Sequence, residues 1–600
     1  MFRYVAWVGE VEGDFFAAAS ALCTLAAGWR MVYRARRLTV WCRGTRPGST
    51  EVYELEAECG VVLGKLFAHD GSGPLYRPAP IRFEANESRA LLEDNGRRLL
   101  TDYHGRYVAF LQDPSAQGIV RIVRGPGGGP PCLRVRLSGG FLYGSSMEDL
   151  ATLLPERPTI NWDYVCAWLC SRVSGQATGL REISQLVGGE CETVIGDRQS
   201  STIVWNPLHL EHGRVIETVP EAVEILRETV RSVIHAWASC YERIMISLSG
   251  GLDSSIVTVC LRDAPSRLQV RCFTHYIRGP DSDERSYAQA VADRAGFPLI
   301  SLERDANADL RSMLNLRPSA TLWNLVHQAD VGRSEAELAS RTEAQAVFTG
   351  EGGDQSFYGA RASLAAGSYL RRRGLRPHLL TVAWDAARVD RTSLWAVLGR
   401  AARDVVPGGA WTPQREVGKF NTLLTPAAVA CARRGGLAVH PWLRDLRASS
   451  SGARWHTAML SIERPLYDAL RKEDEGPDLI HPLMMQPVVE VCRRIPPDVH
   501  IYSGWDRAIA RLAFERDLPE CVSARRAKGG LEEHARRMLL QNSGFVGELL
   551  WNGALMRRGL VDAEKVAEFL SQRPSLLGGT NLDWYDLLSA EAWVRSWVAV

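Results

Sequence analysis

The hydrophobic rhythm of the chain changes near residue 210. Before it, apolar positions fall in short runs and two-residue alternations. Tyr4-Val5-Ala6-Trp7-Val8 reads as a strand almost at the N-terminus, and Arg106 to Leu111 as another that turns at Asp113 to Gly118 and returns through Ile119 to Val123. Leu133-Arg134-Val135-Arg136-Leu137 alternates with period two, and Ser138-Gly139-Gly140 turns it into Phe141-Leu142-Tyr143, which predicts a hairpin with one solvated face. Between these hairpins, Gly125 to Pro131 is rich in glycine, but its prolines remove backbone donors and no helix follows, so it reads as a plain loop. The apolar run Phe15 to Trp29 is shorter than the ~20 residues of a bilayer span and predicts a packed helix.

After residue 210 the period lengthens. Thr218-Val219-Pro220-Glu221 has capping-box spacing and opens a helix whose Val223, Leu226, Val230, Val233, Ile234 and Trp237 share one stripe. Arg243 to Leu248 is a buried-type strand, followed by a glycine turn and a helix over Ser254 to Arg262. Leu268 to Phe273, Pro298 to Leu302 and Ala346 to Thr349 are further strands separated by helical stretches. Strands alternating with helices mean a parallel sheet covered on both faces. Beyond residue 360 the pattern is mostly helical. The 600 residues divide into a β-rich unit, 1–208, and an α/β unit, 209–600, with the boundary between Trp205 and Val219.

Composition narrows the class. Hydrophobic residues at 46% and charged ones at 23% exclude a disordered chain, and 71 basic against 69 acidic residues leave +2, so neither nucleic acid nor a membrane is expected as a partner. Thirteen cysteines are scattered without a CxxC pair; Cys166 and Cys170, one helical turn apart, are the closest. Reduced thiols of a cytoplasmic protein fit this better than disulfides or zinc. Glu10, Glu12 and Asp14 precede the first apolar run, against a signal peptide.

The candidate chemistry lies in two loops. Ser249-Gly250-Gly251-Leu252-Asp253-Ser254-Ser255 sits directly between a buried strand and a helix. Its glycines let backbone approach a ligand, helix-terminal amides point outward, and hydroxyls add donors for phosphate oxygens. Asp253 sits beside phosphate only with a divalent cation between them, so the loop asks for magnesium and a nucleoside triphosphate. It is neither a Walker loop nor a dinucleotide fingerprint. A second loop, Gly350-Glu351-Gly352-Gly353-Asp354-Gln355-Ser356-Phe357, follows the strand Ala346 to Thr349. Strand C-termini of a parallel sheet share one edge, so Asp253 and Asp354 are expected to reach one magnesium–diphosphate unit.

The SGGxDSS form resembles the pyrophosphate-binding loop of ATP pyrophosphatases. Together with GEGGD it resembles the synthetase domain of asparagine synthetase B and its relatives, the β-lactam synthetases and lasso peptide cyclases. Phe273-Thr274, Asp283-Glu284-Arg285-Ser286-Tyr287-Ala288, Pro487 to Pro497, Arg507 to Phe514 and Arg525-Arg526-Ala527-Lys528-Gly529-Gly530 continue the likeness over roughly residues 210 to 535. The first half is similar to the family's glutaminase-type domain, with Tyr143 to Glu148 at its expected end. That implies a degenerate N-terminal-nucleophile αββα domain followed by a Rossmann-like ATP-pyrophosphatase domain with a helical C-terminal part. A working glutaminase of this kind uses Cys directly after the initiator Met, whereas here Met1-Phe2-Arg3 stands and the nearest cysteine is Cys23, so glutamine hydrolysis is expected to fail. Gly350, Gly352, Gly353, Asp354 and Phe357 match the lasso cyclase form, and His104 to Phe110 looks like the GRYVAF segment of such cyclases. Glu351 stands where β-lactam synthetases tend to carry Tyr, as it does in asparagine synthetase.

The resemblance implies ATP and Mg2+, with Ser249, Gly250, Gly251, Asp253, Ser254, Ser255, Phe273, Thr274, Gly350, Gly352 and Arg507 around the nucleotide, Arg507 against phosphate. Asp253 and Asp354 would hold the metal, Lys528 the oxyanion, and Glu351 the proton of the attacking amine. It implies an AMP-forming macrolactam synthetase acting on a leader-free linear core peptide, with a leader peptidase and a leader-binding protein as partners. A small-molecule amide synthetase, of the β-lactam or ammonia-dependent asparagine type, and a non-catalytic peptide binder stand as alternatives. His456 and His481 read as structural, and Trp237, Trp323 and Trp505 as core.

Overall fold

The computed structural model describes residues 2–598 except 11–15, 17–19, 21–27, 70–80, 115–117, 174, 266, 279–282, 306, 316, 318, 327–330, 360, 420, 435, 438, 447–448, 463–475, 527–531 and 572–580. The helix expected over Phe15 to Trp29 falls largely outside these.

Two six-stranded sheets form the first half. One runs in the order Ile183–Gln185, Leu133–Leu137, Gly140–Gly144, Arg3–Gly9, Leu38–Arg43, Arg30–Arg34. The other runs Arg198–Ile203, Glu190–Ile195, Ile119–Arg124, Tyr103–Gln112, Gly60–Ala68, Glu51–Leu55. Every pairing within them is antiparallel. Strand alternation explains why Tyr4 to Val8 is apolar throughout. Tyr4, Ala6 and Val8 point between the sheets against Val61, Leu63, Val108 and Phe110. Val5 and Trp7 point outward beneath the helix Trp162–Ser171. On the far side, Val62, Tyr107, Ala109 and Leu111 are covered by the helices Ala85–Glu93 and Arg98–Thr101. The layering is thus helix, sheet, sheet, helix. The hairpin Leu133–Leu137/Gly140–Gly144 departs from expectation, because Gly140–Gly144 is buried on both faces next to the central strand. Arg134, read as solvent-facing, turns inward to pair with buried Glu192.

The second half carries a five-stranded parallel sheet in the order Leu299–Glu303, Gln269–Tyr276, Arg243–Ser247, Ala346–Thr349, Asp478–Ile480. The helix Val219–Ala238 precedes it, with Leu226, Val230, Val233, Ile234 and Trp237 buried as the stripe predicts. Thr218 occupies the N-cap position but makes no side-chain cap, and Glu221 pairs with Arg214 at 2.9 Å instead of completing a capping box. Ser247, Phe273 and Thr349 are level in the register. From Arg243–Ser247 the chain moves outward to one side, then returns to Ala346–Thr349 on the other, so the strand order reverses at that point. A crevice at such a reversal is where open α/β sheets place ligands. The fifth strand, three residues long and over a hundred residues downstream, was not expected.

Candidate active site

Both singled-out loops leave the sheet at this reversal. The first turns at Gly250, whose φ of +71° suits glycine, and delivers Gly251 as N-cap of the helix Leu252–Arg262, with Asp253 in the first turn. The hydroxyls brace the turn. Ser249 Oγ accepts from Gly251 N at 3.3 Å, Ser254 Oγ accepts from Ser249 N at 3.2 Å, and buried Ser255 donates to the Gly251 carbonyl at 2.7 Å. The second loop turns at Gly352, φ +94°, into the short helix Gly353–Ser356. Thr349 Oγ1 accepts from Glu351 N at 3.1 Å and bonds His481 Nδ1 at 2.6 Å, tying the loop to the end of the fifth strand. Ser356 donates to the Leu483 carbonyl at 2.7 Å.

The glycines are also required by packing. A Cβ on Gly250 would lie 2.7 Å from Tyr287 Cβ and Ala288 N, and one on Gly350 only 2.3 Å from Ser254 N. On Gly353 it would fall 2.1 Å from Asp253 Cγ, and on Gly352 against the Met484 side chain. These four are therefore glycine because the two loops and their neighbours press on one another, and not only to admit a ligand. Their close packing is what brings the carboxylates together.

Asp253 and Asp354 meet on a single atom. Arg507 Nη1 is 2.9 Å from Asp253 Oδ2 and 2.6 Å from Asp354 Oδ1. Behind it, Asp506 Oδ2 accepts from Arg507 Nε and Nη2, both at 2.8 Å, and Asp506 Oδ1 binds Arg511 Nη2 at 3.0 Å. Burial works against the charge of Arg507, but Asp253, Asp354 and Asp506 outweigh it and hold its pKa above the ordinary value. Burial likewise pushes Asp506 up, and Arg507 and Arg511 override it, so that carboxyl stays below its usual range. Arg507 has a left-handed backbone, φ 51°, at the start of the helix Ala508–Phe514. Two carboxylates held by one cation are a hard-oxygen donor set that fits a magnesium ion.

Other expected residues divide. Thr274 is buried and follows Phe273, whose side chain lies in the core with Met245, Leu338 and Val347, so only its backbone faces other work. Glu351 is half-buried in the second loop. Lys528 lies outside the described residues, but the chain leading to it is anchored at this site. Arg525 pairs with Glu284 and stacks 3.9 Å over Tyr287, the residue that Gly250 abuts, and Arg511 donates to the Ser523 carbonyl at 2.8 Å. His456 is structural, bonded to the Ser356 carbonyl at 2.9 Å. Trp237 and Trp323 are core, whereas Trp505 is half-buried between Arg526 at 3.7 Å and Arg511 at 5.2 Å. Sequence reasoning missed Asp506 and Arg511, two charged neighbours of Arg507 with no motif of their own.

No curated protein matches the chain. Among solved structures, "structure of the allosteric regulatory enzyme of purine biosynthesis" aligns at 8% identity and TM-score 0.23 over 58% of this chain and 89% of its own. The glutamine phosphoribosylpyrophosphate amidotransferase from B. subtilis complexed with ADP and GMP aligns at 9% and 0.21, over 59% and 91%. Residues 225–599 match the asparagine synthase family. No helix among the described residues is long and apolar enough to cross a membrane. The family match spans more than half of the chain and takes in both loops and Arg507, with ATP-dependent amide-bond formation as its chemistry: the chain belongs to the asparagine synthase family.

Proposed function

We propose that the protein is an AMP-forming amide ligase that closes a macrolactam in a leader-free linear peptide, a cyclase of the lasso type. The observation that carries the ligase reading is the meeting of Asp253 and Asp354 on Arg507 Nη1 at the C-terminal edge of the parallel sheet. The peptide reading is supported by the pattern Gly350, Gly352, Gly353, Asp354 and Phe357 and by the segment His104 to Phe110. That segment's Arg106 donates to the Leu479 carbonyl at 2.8 Å, on the strand beside the second loop.

In this reading an Asp or Glu side-chain carboxylate of the peptide attacks the α-phosphorus of ATP. A carboxyl O–P bond forms, the bond to pyrophosphate breaks, and an acyl-adenylate results. Ser249, Gly250, Gly251, Ser254 and Ser255 with the first turn of Leu252–Arg262 receive the phosphates, where the helix terminus favours negative charge. Magnesium, held by Asp253 and Asp354, would offset the charge gathering on the departing diphosphate. The peptide's N-terminal amine then attacks the acyl carbon and AMP leaves. Lys528 takes the oxyanion and Glu351 the amine's proton. Positioning is most of the work, since the reacting groups belong to one molecule and water must be kept from the adenylate.

Mass spectrometry of candidate linear peptides incubated with protein and ATP is the test. The expected product is lighter by one water, with AMP and pyrophosphate formed alongside. ADP with phosphate in their place overturns the AMP-forming reading. Glu351 between the leading glycines favours a second reading, a small-molecule amide synthetase. Pyrophosphate release driven by free aspartate and ammonium, with no peptide product, selects it.

A further inference from the structure

Two carboxylates from loops a hundred residues apart approach each other in a half-buried notch only if a cation sits between them. In this structure that cation belongs to the protein. Arg507 Nη1 bonds one oxygen of Asp253 and one of Asp354, which is the place a bridging divalent ion would take. The opposite edge of the guanidinium is fixed separately on Asp506, through Nε and Nη2. Asp506 is shared with Arg511, which also reaches the Asp506 and Ser523 carbonyls at 3.0 and 2.8 Å. Three carboxylates face two guanidinium groups here, a formal charge of −1. The segment is not relaxed: Ser503 at φ 59° and Arg507 at φ 51° are both left-handed without being glycine.

We propose that Arg507 is a resident countercation that competes with the divalent ion for Asp253 and Asp354, and releases them when nucleotide phosphates take up its Nη1 edge. This rests on the reading of those two aspartates as the metal holders. Asp506 keeps the guanidinium anchored on its other edge through the exchange. The site therefore resists a metal arriving alone, and metal and nucleotide enter together. A free divalent ion would have to displace a charge-assisted pair with no new partner for the arginine, whereas a phosphate supplies one.

The test uses full-length, nucleotide-free protein titrated with Mn2+, the free ion being read by electron paramagnetic resonance. Arg507→Gln is expected to bind Mn2+ about tenfold tighter than the wild type, or more, because its competitor is gone. The double variant Arg507→Gln/Asp354→Asn is expected to lose that gain. Inorganic pyrophosphate is expected to bind Arg507→Gln more weakly than wild type. A folded Arg507→Gln, by its melting temperature and circular dichroism, that binds Mn2+ no tighter than wild type overturns the proposal. Where Arg507→Gln fails to fold, Arg507→Lys decides: a point charge without the fork is expected to release Mn2+ binding partly, and unchanged affinity overturns the role. Mn2+ binding that is indifferent to Asp253→Asn and Asp354→Asn overturns the metal assignment itself. Dependence on those aspartates without dependence on Arg507 removes only the countercation.

Discussion

The two aspartates at the sheet edge differ in setting. The Asp253 side chain is 13% exposed, pressed beneath Gly353, whereas that of Asp354 is 60% exposed. Asp253→Ala and Asp354→Ala are each expected to abolish pyrophosphate release in the presence of peptide, a loss of at least ~100-fold. Both strip a partner from Arg507, but Asp253→Ala is expected to lower the melting temperature more, since its pair with Arg507 is the one buried on both sides. Gly353→Ala tests how the carboxylates are brought together. Its methyl would need the space of Asp253 Cγ, so the same pyrophosphate assay is expected to fall nearly as far as with Asp253→Ala. Near-normal turnover in Gly353→Ala would mean that the loops tolerate separation. These positions were legible in the sequence because glycine and aspartate recur there at strand ends. Their pairing with Arg507 was not, because nothing local in the chain encodes an ion pair spanning 254 positions. The orientation of Phe273 was not legible for a related reason: position along a strand beside a site does not say which face a side chain takes, and its ring packs in the core.

Whole elements were legible where one period dominates. The helix Val219–Ala238 and the strands at Arg243 and Ala346 follow their hydrophobic patterns closely. The helix Asn581–Val598 does not announce itself so simply, since acids recur along it and yet Asp583, Asp586 and Glu591 are all buried. Each is answered by a partner. Asp583 accepts from Thr422 Oγ1 at 3.2 Å, Asp586 binds Arg172 Nε at 2.5 Å, and Glu591 accepts from Ala554 N and Leu555 N at 2.8 and 2.9 Å. Burial nevertheless pushes the Asp586 carboxyl up from 3.8 to about 6, Arg172 offsetting only part of it. Over that interval the folded protein keeps a proton that the unfolded chain has given up. The associated stability is complete below about pH 4, falls as pH rises, and is gone above about pH 6. Asp586→Asn has no proton to release. Thermal melts from pH 4 to 7 are expected to show wild type losing ground to Asp586→Asn across this window, by up to about 3 kcal/mol. A constant difference between the two proteins would show that Asp586 is ionised throughout.

At the scale of the molecule, the two halves share their cores. Phe67 of the β-rich half packs 5.1 Å from Trp237, Gln486 donates to the Leu100 carbonyl at 2.7 Å, Trp205 Nε1 binds Glu490 at 2.8 Å, and Trp442 joins the cluster under Ala85–Glu93. The β-rich half therefore braces the strand Asp478–Ile480, which Arg46 and Ser49 also hold through Asp478. The final helix returns the favour by packing on Trp162–Ser171, the outer layer of the first sheet. Composition changes along the chain mark two units but are silent on how chain ends cross between them. Gly179 reports on that crossing, because a Cβ there would lie 2.3 Å from Trp593 Cη2, whose ring is pinned by a 2.8 Å bond from Nε1 to the Ser319 carbonyl. Gly179→Ala is expected to cost roughly 1–3 kcal/mol by overpacking, read as a lower melting temperature. Trp593→Leu alone should also destabilise, through the cavity it opens. Combined, the two lesions relieve each other, since the smaller side chain leaves room for the added methyl, so the double variant is expected to melt above the sum of the single losses. Strict additivity would show that the C-terminal helix does not rest on the β-rich half at this point.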